Sequence, residues 1–268
     1  MNRYKNMFEK NFLLNKGCFV PFLILGYPTL KRSIEIINDV ISFGADALEI
    51  GIPFSDPIAD GPIIQQANTQ ALKNNITMKK YFHYIKKIRK KNKNIPIGLL
   101  IYANLIFHMG IKKFYFNCAK IGIDSVLIPD LPIEESYEFR KYGNKNKISS
   151  IYICPPNADT HLIKKISKYS KDYVYLVSRK GVTGINKKKQ TLNTKIIKKL
   201  IKNNSSPILN GFGITHNIDI QSILKLGVSG IICGSEIISI INKNIENQKK
   251  IRSQIKKICK IFKKKLIL

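Results

Sequence analysis

No apolar run in the 268 residues approaches the ~20 that would span a bilayer. The first residues, Met1–Gly17, mix Arg3, Lys5, Glu9 and Lys10 with aromatics and hold no continuous apolar stretch, so they do not read as a secretory signal. Cysteine is sparse: Cys18, Cys118, Cys154, Cys233 and Cys259 are widely scattered, with no CxxC and no histidine at ligand spacing. That disfavours a disulfide framework and a metal site, and a reducing cytoplasm is the expected setting. No linker, repeat or low-complexity block interrupts the chain, which predicts one domain over residues 1–268, long enough to bury a sizeable core. Acidic residues are few, 17 against 46 Lys and Arg, giving a formal charge of +29. Such a balance invites a nucleic-acid reading. Yet the lysines are spread along the whole chain beside Asn and Ile, as in Lys86–Asn94, and no aromatic-laced basic motif accompanies them. Specific nucleic-acid binding is not expected; weak adhesion at low salt is.

What the chain does have is an alternation. Short apolar, β-rich runs occur at Cys18–Leu25, Ala47–Ile52, Ile97–Tyr102, Ser125–Ile128, Ser149–Cys154, Tyr173–Ser178, Pro207–Gly211 and Gly230–Cys233. Between them lie stretches of helical periodicity, among them Ser33–Phe43, Met78–Lys91, Ile111–Ile121, Glu134–Lys145 and Asn217–Leu226. Near-continuously apolar strands alternating with helices predict a parallel sheet buried on both faces. Eight such units in this length fit an α/β fold of the closed (β/α)8 TIM-barrel type better than an open sheet. An extra N-terminal helix is expected around Arg3–Leu14, and one long basic helix from about Glu236 to Lys264.

In a barrel, the chemistry sits at the C-terminal ends of the strands and in the loops that follow. The second strand runs into Ala47–Pro62, where Glu49 is a lone carboxylate among apolar residues. Buried unpaired it would be costly, so it must find a partner, a proton or a ligand. Pro53, Pro57 and Pro62 stiffen a loop that carries Asp56 and Asp60. Glu49 and Asp60 are thus expected to be two carboxylates in different environments, one raised by burial and one kept ionised by solvent. Asp60, within Ala-Asp-Gly-Pro, also reads simply as a turn residue. Glycine turns follow the sixth, seventh and eighth runs: Gly181–Gly184, Gly211-Phe212-Gly213 and Gly234-Ser235. Backbone amides there, with Ser235 opening a helix, suit a phosphate group. Phe22, Leu100, Tyr102, Leu127, Ile153 and Tyr175 share the inner face and would make either ordinary barrel core or a slot for a flat aromatic group; the Tyr175 hydroxyl needs a partner. The stretch Arg179–Lys189 is long and polar for a barrel connection and suits a lid.

These residues resemble the tryptophan synthase alpha family. The stretch Glu49–Pro62 is similar to the family signature almost residue for residue; Phe19–Phe22, Tyr102–Asn104, Cys154–Asn157, Ser178-Arg179 with Gly181–Gly184, and Gly211–Ile214 also match. The resemblance implies retro-aldol cleavage of indole-3-glycerol phosphate with no metal or cofactor in this chain. It implies Glu49 as general acid–base, Asp60 holding the indole N–H, and Tyr175 positioning the glycerol chain. Gly184, Gly213, Gly234 and Ser235 would bind phosphate. Phe22, Leu100, Tyr102, Leu127, Ile153, Thr183 and Phe212 would contact substrate. The implied partner is a pyridoxal-phosphate β subunit in an αββα heterotetramer, met through Pro53, Asp56 and Asn104, which would order the Asp60 loop and take up the indole. Lys180, His108 and Pro129 depart from the usual pattern, and the lysine load is foreign to typical members. Another phosphate-binding barrel enzyme, or a non-catalytic scaffold for the β subunit, would share many of these features.

Overall fold

A computed structural model of the chain describes residues 2–177, 194–211 and 213–268. Eight short strands form where the apolar runs lie: β1 (Cys18–Ile24), β2 (Leu48–Gly51), β3 (Ile97–Leu100), β4 (Ser125–Leu127), β5 (Ser149–Cys154), β6 (Val174–Leu176), β7 (Ile208–Asn210) and β8 (Gly230–Cys233). Each pairs in parallel with its sequence neighbour, and β8 returns to β1 to close the barrel. Closure buries both faces, which is why every residue of β1, β2 and β8 is buried and why these runs carry no polar alternation. The fold is a TIM barrel.

The helices through β4 are α1 (Arg3–Leu13), α2 (Leu30–Ser42), α3 (Pro62–Leu72), α4 (Met78–Lys91), α5 (Ala103–Met109) and α6 (Ile111–Ile121). After a single turn of 3-10 helix at Ile133–Glu135 come α7 (Tyr137–Lys145), α8 (Thr160–Tyr169), α9 (Thr194–Lys202), α10 (Ile220–Lys225), α11 (Ser235–Lys243) and α12 (Gln248–Lys265). Side chains of Thr29, Thr77 and Asp159 accept from backbone amides at the starts of α2, α4 and α8, satisfying groups those helices would otherwise leave free. Pro62 starts α3, where its missing N–H costs nothing. The long terminal helix expected from the sequence is instead two helices. The Asn247 side chain accepts from the Lys250 amide, and such a cap restarts the backbone as a new helix. No helix among the described residues is long and apolar enough to cross a membrane.

The N-terminal helix α1 reaches the barrel interior from below. Arg3 and Arg89 both bond Asp124, each at 2.7 Å, and tie α1 and α4 to the start of β4. Tyr4, 1% exposed, shares a hydrogen bond of 2.9 Å with the Ser125 hydroxyl, and its ring lies 5.5 Å from that of Tyr173. A surface helix thereby buttresses the inside of the barrel, directly beneath the mouth.

Candidate active site

Strand β2 supplies the central group. Phe22 of β1 pairs with Glu49, and Glu49 with Gly98 of β3, so the carboxylate stands among apolar strands with only 2% exposure. Its Oε1 accepts from the Tyr173 hydroxyl at 3.1 Å, while Oε2 is buried with no hydrogen-bond partner among the described residues. Burial pushes the acid up to about 8; the Tyr173 bond opposes that rise and the nearby Asp60 charge adds to it. A carboxyl with that affinity is protonated at neutral pH yet gives up its proton within reach of it, as a general acid–base requires.

Asp60 sits on the loop between β2 and α3. That loop is more firmly held than proline stiffening alone predicts. The Tyr102 hydroxyl donates to Asp60 Oδ2 at 3.0 Å and accepts from the Ala59 amide at 3.2 Å. Phe54 stacks on the Tyr102 ring at 5.0 Å, and its amide donates to Asn68 of α3. The expectation that solvent keeps Asp60 ionised is corrected here: Asp60 is 7% exposed, and burial raises it to about 6 against the opposing Tyr102 bond. The two carboxylates still differ. At pH 7 an acid near 6 is ionised by about ten to one and one near 8 protonated by about ten to one.

Both groups line a narrow cavity with Phe22, Ile64, Leu100, Tyr175 and Ile232 along its wall. Gly211, Gly213, Ile214, Gly234 and Ser235 line it as well. Gly213 takes φ +66°, a left-handed backbone, and Ser235 is the first residue of α11, whose amides point out of the helix start. Tyr175 donates to the Gly211 carbonyl at 3.0 Å, the partner its hydroxyl needs. That bond requires glycine: a Cβ at Gly211 would stand 2.1 Å from the Tyr175 ring. Wider clefts lie on the flank between α6 and α7 and beneath the barrel beside α1. Neither brings two acidic side chains together among the described residues.

Of the residues singled out from the sequence, Glu49, Asp60, Tyr175, Phe22, Leu100, Gly213, Gly234 and Ser235 meet at this cavity, and Tyr102 stands behind Asp60. Leu127 is buried core, and Ile153 packs half-buried against it; neither is among the lining residues. Asp56 and Asn104 are exposed, whereas Pro53 is buried within the chain itself. Thr183, Gly184, Phe212 and the stretch Arg179–Lys189 lie outside the described residues. Sequence reading overlooked Tyr173, Ile64, Ile214 and Ile232. Tyr173 was within reach, because strand alternation puts it on the face of Tyr175, two residues on.

The family profile described as "Tryptophan synthase alpha chain" matches residues 8–267. The chain is 53% identical over 268 residues to the tryptophan synthase alpha chain of Buchnera aphidicola subsp. Baizongia pistaciae, covering 100% of this chain and 99% of the relative. It is 43% identical over 263 residues to that of Salmonella typhimurium, covering 98% of each. A chain in the solved tryptophan synthase α2β2 complex of Pyrococcus furiosus superposes with a TM-score of 0.84 at 28% identity, over 93% of this chain and 98% of that one. With the profile spanning nearly every residue and the barrel shared, the chain belongs to the tryptophan synthase alpha chain family.

Proposed function

We propose that Glu49 and Asp60 carry out the family's reaction, the cleavage of indole-3-glycerol phosphate to indole and glyceraldehyde 3-phosphate. The chain is a lyase of tryptophan biosynthesis acting on that substrate. The observation that carries the residue assignment is Glu49 itself: a carboxyl buried in a strand, one oxygen held by Tyr173 and the other without a partner among the described residues, beside a second carboxylate that is ionised at neutral pH. Protonated Glu49 gives its proton to indole C3, and the ring nitrogen takes up positive charge. Asp60, accepting from the N–H, stabilises that charge. Ionised Glu49 then takes the proton of the hydroxyl next to the ring. The carbon–carbon bond breaks, its electron pair restores the aromatic ring, and the hydroxyl-bearing carbon becomes an aldehyde. Glu49 ends as it began, protonated. Tyr175 faces the glycerol chain, and Gly213, Gly234 and Ser235 receive the phosphate; Gly184, Thr183 and Phe212 are proposed to join them.

No cofactor belongs to this chain, and pyridoxal phosphate belongs to the β subunit. The Pyrococcus furiosus relative is an α2β2 complex, and the same assembly is proposed here, with indole passing to the β partner. Asp56, Ile58, Asn104 and Phe107 are exposed beside the mouth and offer the surface, Pro53 supporting the loop from beneath. A cytoplasmic location and a single folded domain over residues 1–268 complete the proposal. The test is incubation of purified chain with indole-3-glycerol phosphate. Indole and glyceraldehyde 3-phosphate should appear in equal amounts; loss of substrate without indole would reject the lyase reading.

A further inference from the structure

Outside the carboxylate pair, a hydrogen-bonded histidine and carboxylate lie beside the proposed phosphate turns. His216 and Glu236 meet at 2.6 Å, Nδ1 to Oε1. His216 belongs to the segment between β7 and α10, just beyond Gly213 and Ile214, which line the cavity. Glu236 follows Ser235 in the first turn of α11. Its side chain is 12% exposed, against 47% for the histidine. The segment is fixed from a third side as well: Lys265 Nζ, at the end of α12, donates to the carbonyls of His216 at 2.6 Å and Ile218 at 3.1 Å.

A carboxylate in this position works against the site. The partial positive charge at the start of α11 is what a phosphate dianion would use. Glu236 occupies the same first turn, answers the same field and repels the dianion. We propose that His216 is a positioning residue for the phosphate end of the pocket: it holds the Glu236 carboxylate on the β7–α10 segment, leaving the start of α11 to the substrate. Together with Lys265 it keeps the segment bearing Gly213 in register with Ser235. The proposal rests on the phosphate reading of Gly213, Gly234 and Ser235. A single side-chain hydrogen bond with one half-exposed member contributes little to stability, so its removal should be felt in substrate binding and not in folding.

The test is steady-state kinetics with indole-3-glycerol phosphate at fixed pH and low salt. His216→Ala should raise KM by roughly 5–20-fold and leave kcat within about twofold, since uniform binding and not the chemical step is lost. Adding Glu236→Ala should bring KM back to within about threefold of the unsubstituted chain. Raising the ionic strength should shrink the His216→Ala penalty, because like-charge repulsion is screened; a merely structural clasp would show neither recovery nor screening. An unchanged KM in His216→Ala, or a double variant as poor as the single one, overturns the proposal. Indole-glycerol without its phosphate separates the two readings. Equal KM for both substrates in the unsubstituted chain removes the phosphate site and the proposal with it. A large gap between the substrates beside an indifferent His216→Ala removes the proposal alone.

Discussion

Glu49 and Tyr173 set the chemistry between them, and each contributes a separate measurable. The Tyr173 hydroxyl bonds the carboxylate and so holds Glu49 below where burial alone would put it. Tyr173→Phe should move the inflection of the pH–rate profile that belongs to Glu49 to higher pH, by roughly half a unit to one unit. An inflection that stays put or falls would mean that Tyr173 does not serve the ionised form. The same burial has a cost in stability. Glu49 is raised from 4.5 to about 8 and Asp60 from 3.8 to about 6, so the fold binds both protons more tightly than the unfolded chain does. Their contribution is fully present below about 4 and is lost as pH rises through 6 and then 8. The unfolding free energy should therefore fall from pH 5 to pH 9, by an amount on the order of a few kcal/mol, as denaturant titrations at each pH would read. Glu49→Gln should flatten most of that decline and be the more stable protein at alkaline pH. A decline of equal steepness in Glu49→Gln would place its origin elsewhere. The sequence showed Glu49 as an oddity because a carboxylate inside an apolar strand is visible as such. The burial of Asp60 was not legible, since it depends on Tyr102, a residue 42 positions away that reaches the loop only when β3 pairs with β2.

Among the elements, the strands were the most readable and the loops the least. Apolar runs announce strands buried on both faces, and all eight lie within the runs expected, shortened at one or both ends in most cases. The terminal helix was read as continuous because Lys, Ile and Asn persist through its break; only the Asn247 cap reveals the restart. The loop after β2 looked stiff but free in sequence, whereas Tyr102, Phe54 and Asn68 secure it to β3's end and to α3. The start of α11 behind β8 gives a test at this scale. A Cβ at Gly234 would meet Phe22 Cδ1 at 2.9 Å, so the ring and the cavity wall must shift together. Gly234→Val is expected to raise KM for indole-3-glycerol phosphate by about tenfold or more while the far-ultraviolet circular dichroism stays unchanged. Unaltered KM in the folded variant would put the anion site somewhere other than this turn.

At the scale of the whole molecule, the formal charge of +29 comes from Lys and Arg spread along the chain, and no described lysine or arginine lines the cavity. Family and reaction were legible in the order of short motifs along the chain, and composition alone pointed instead toward nucleic acid. The mouth face, with Ile58 at 72% and Phe107 at 57% exposure, is where a partner would bury apolar surface. Docking there is expected to raise kcat for indole formation by about tenfold or more through a shift toward the competent state, and Phe107→Ser should blunt that gain without changing the basal rate. Equal kcat with and without a β subunit would exclude activation by the partner. All of this depends on Glu49 being the group that moves the protons. The most direct test is single-turnover indole formation by the unsubstituted chain and by Glu49→Gln, both shown to be folded and to bind indole-3-glycerol phosphate. The expected result is undiminished binding with a rate lower by at least ~10²-fold; comparable rates in the two proteins would contradict it.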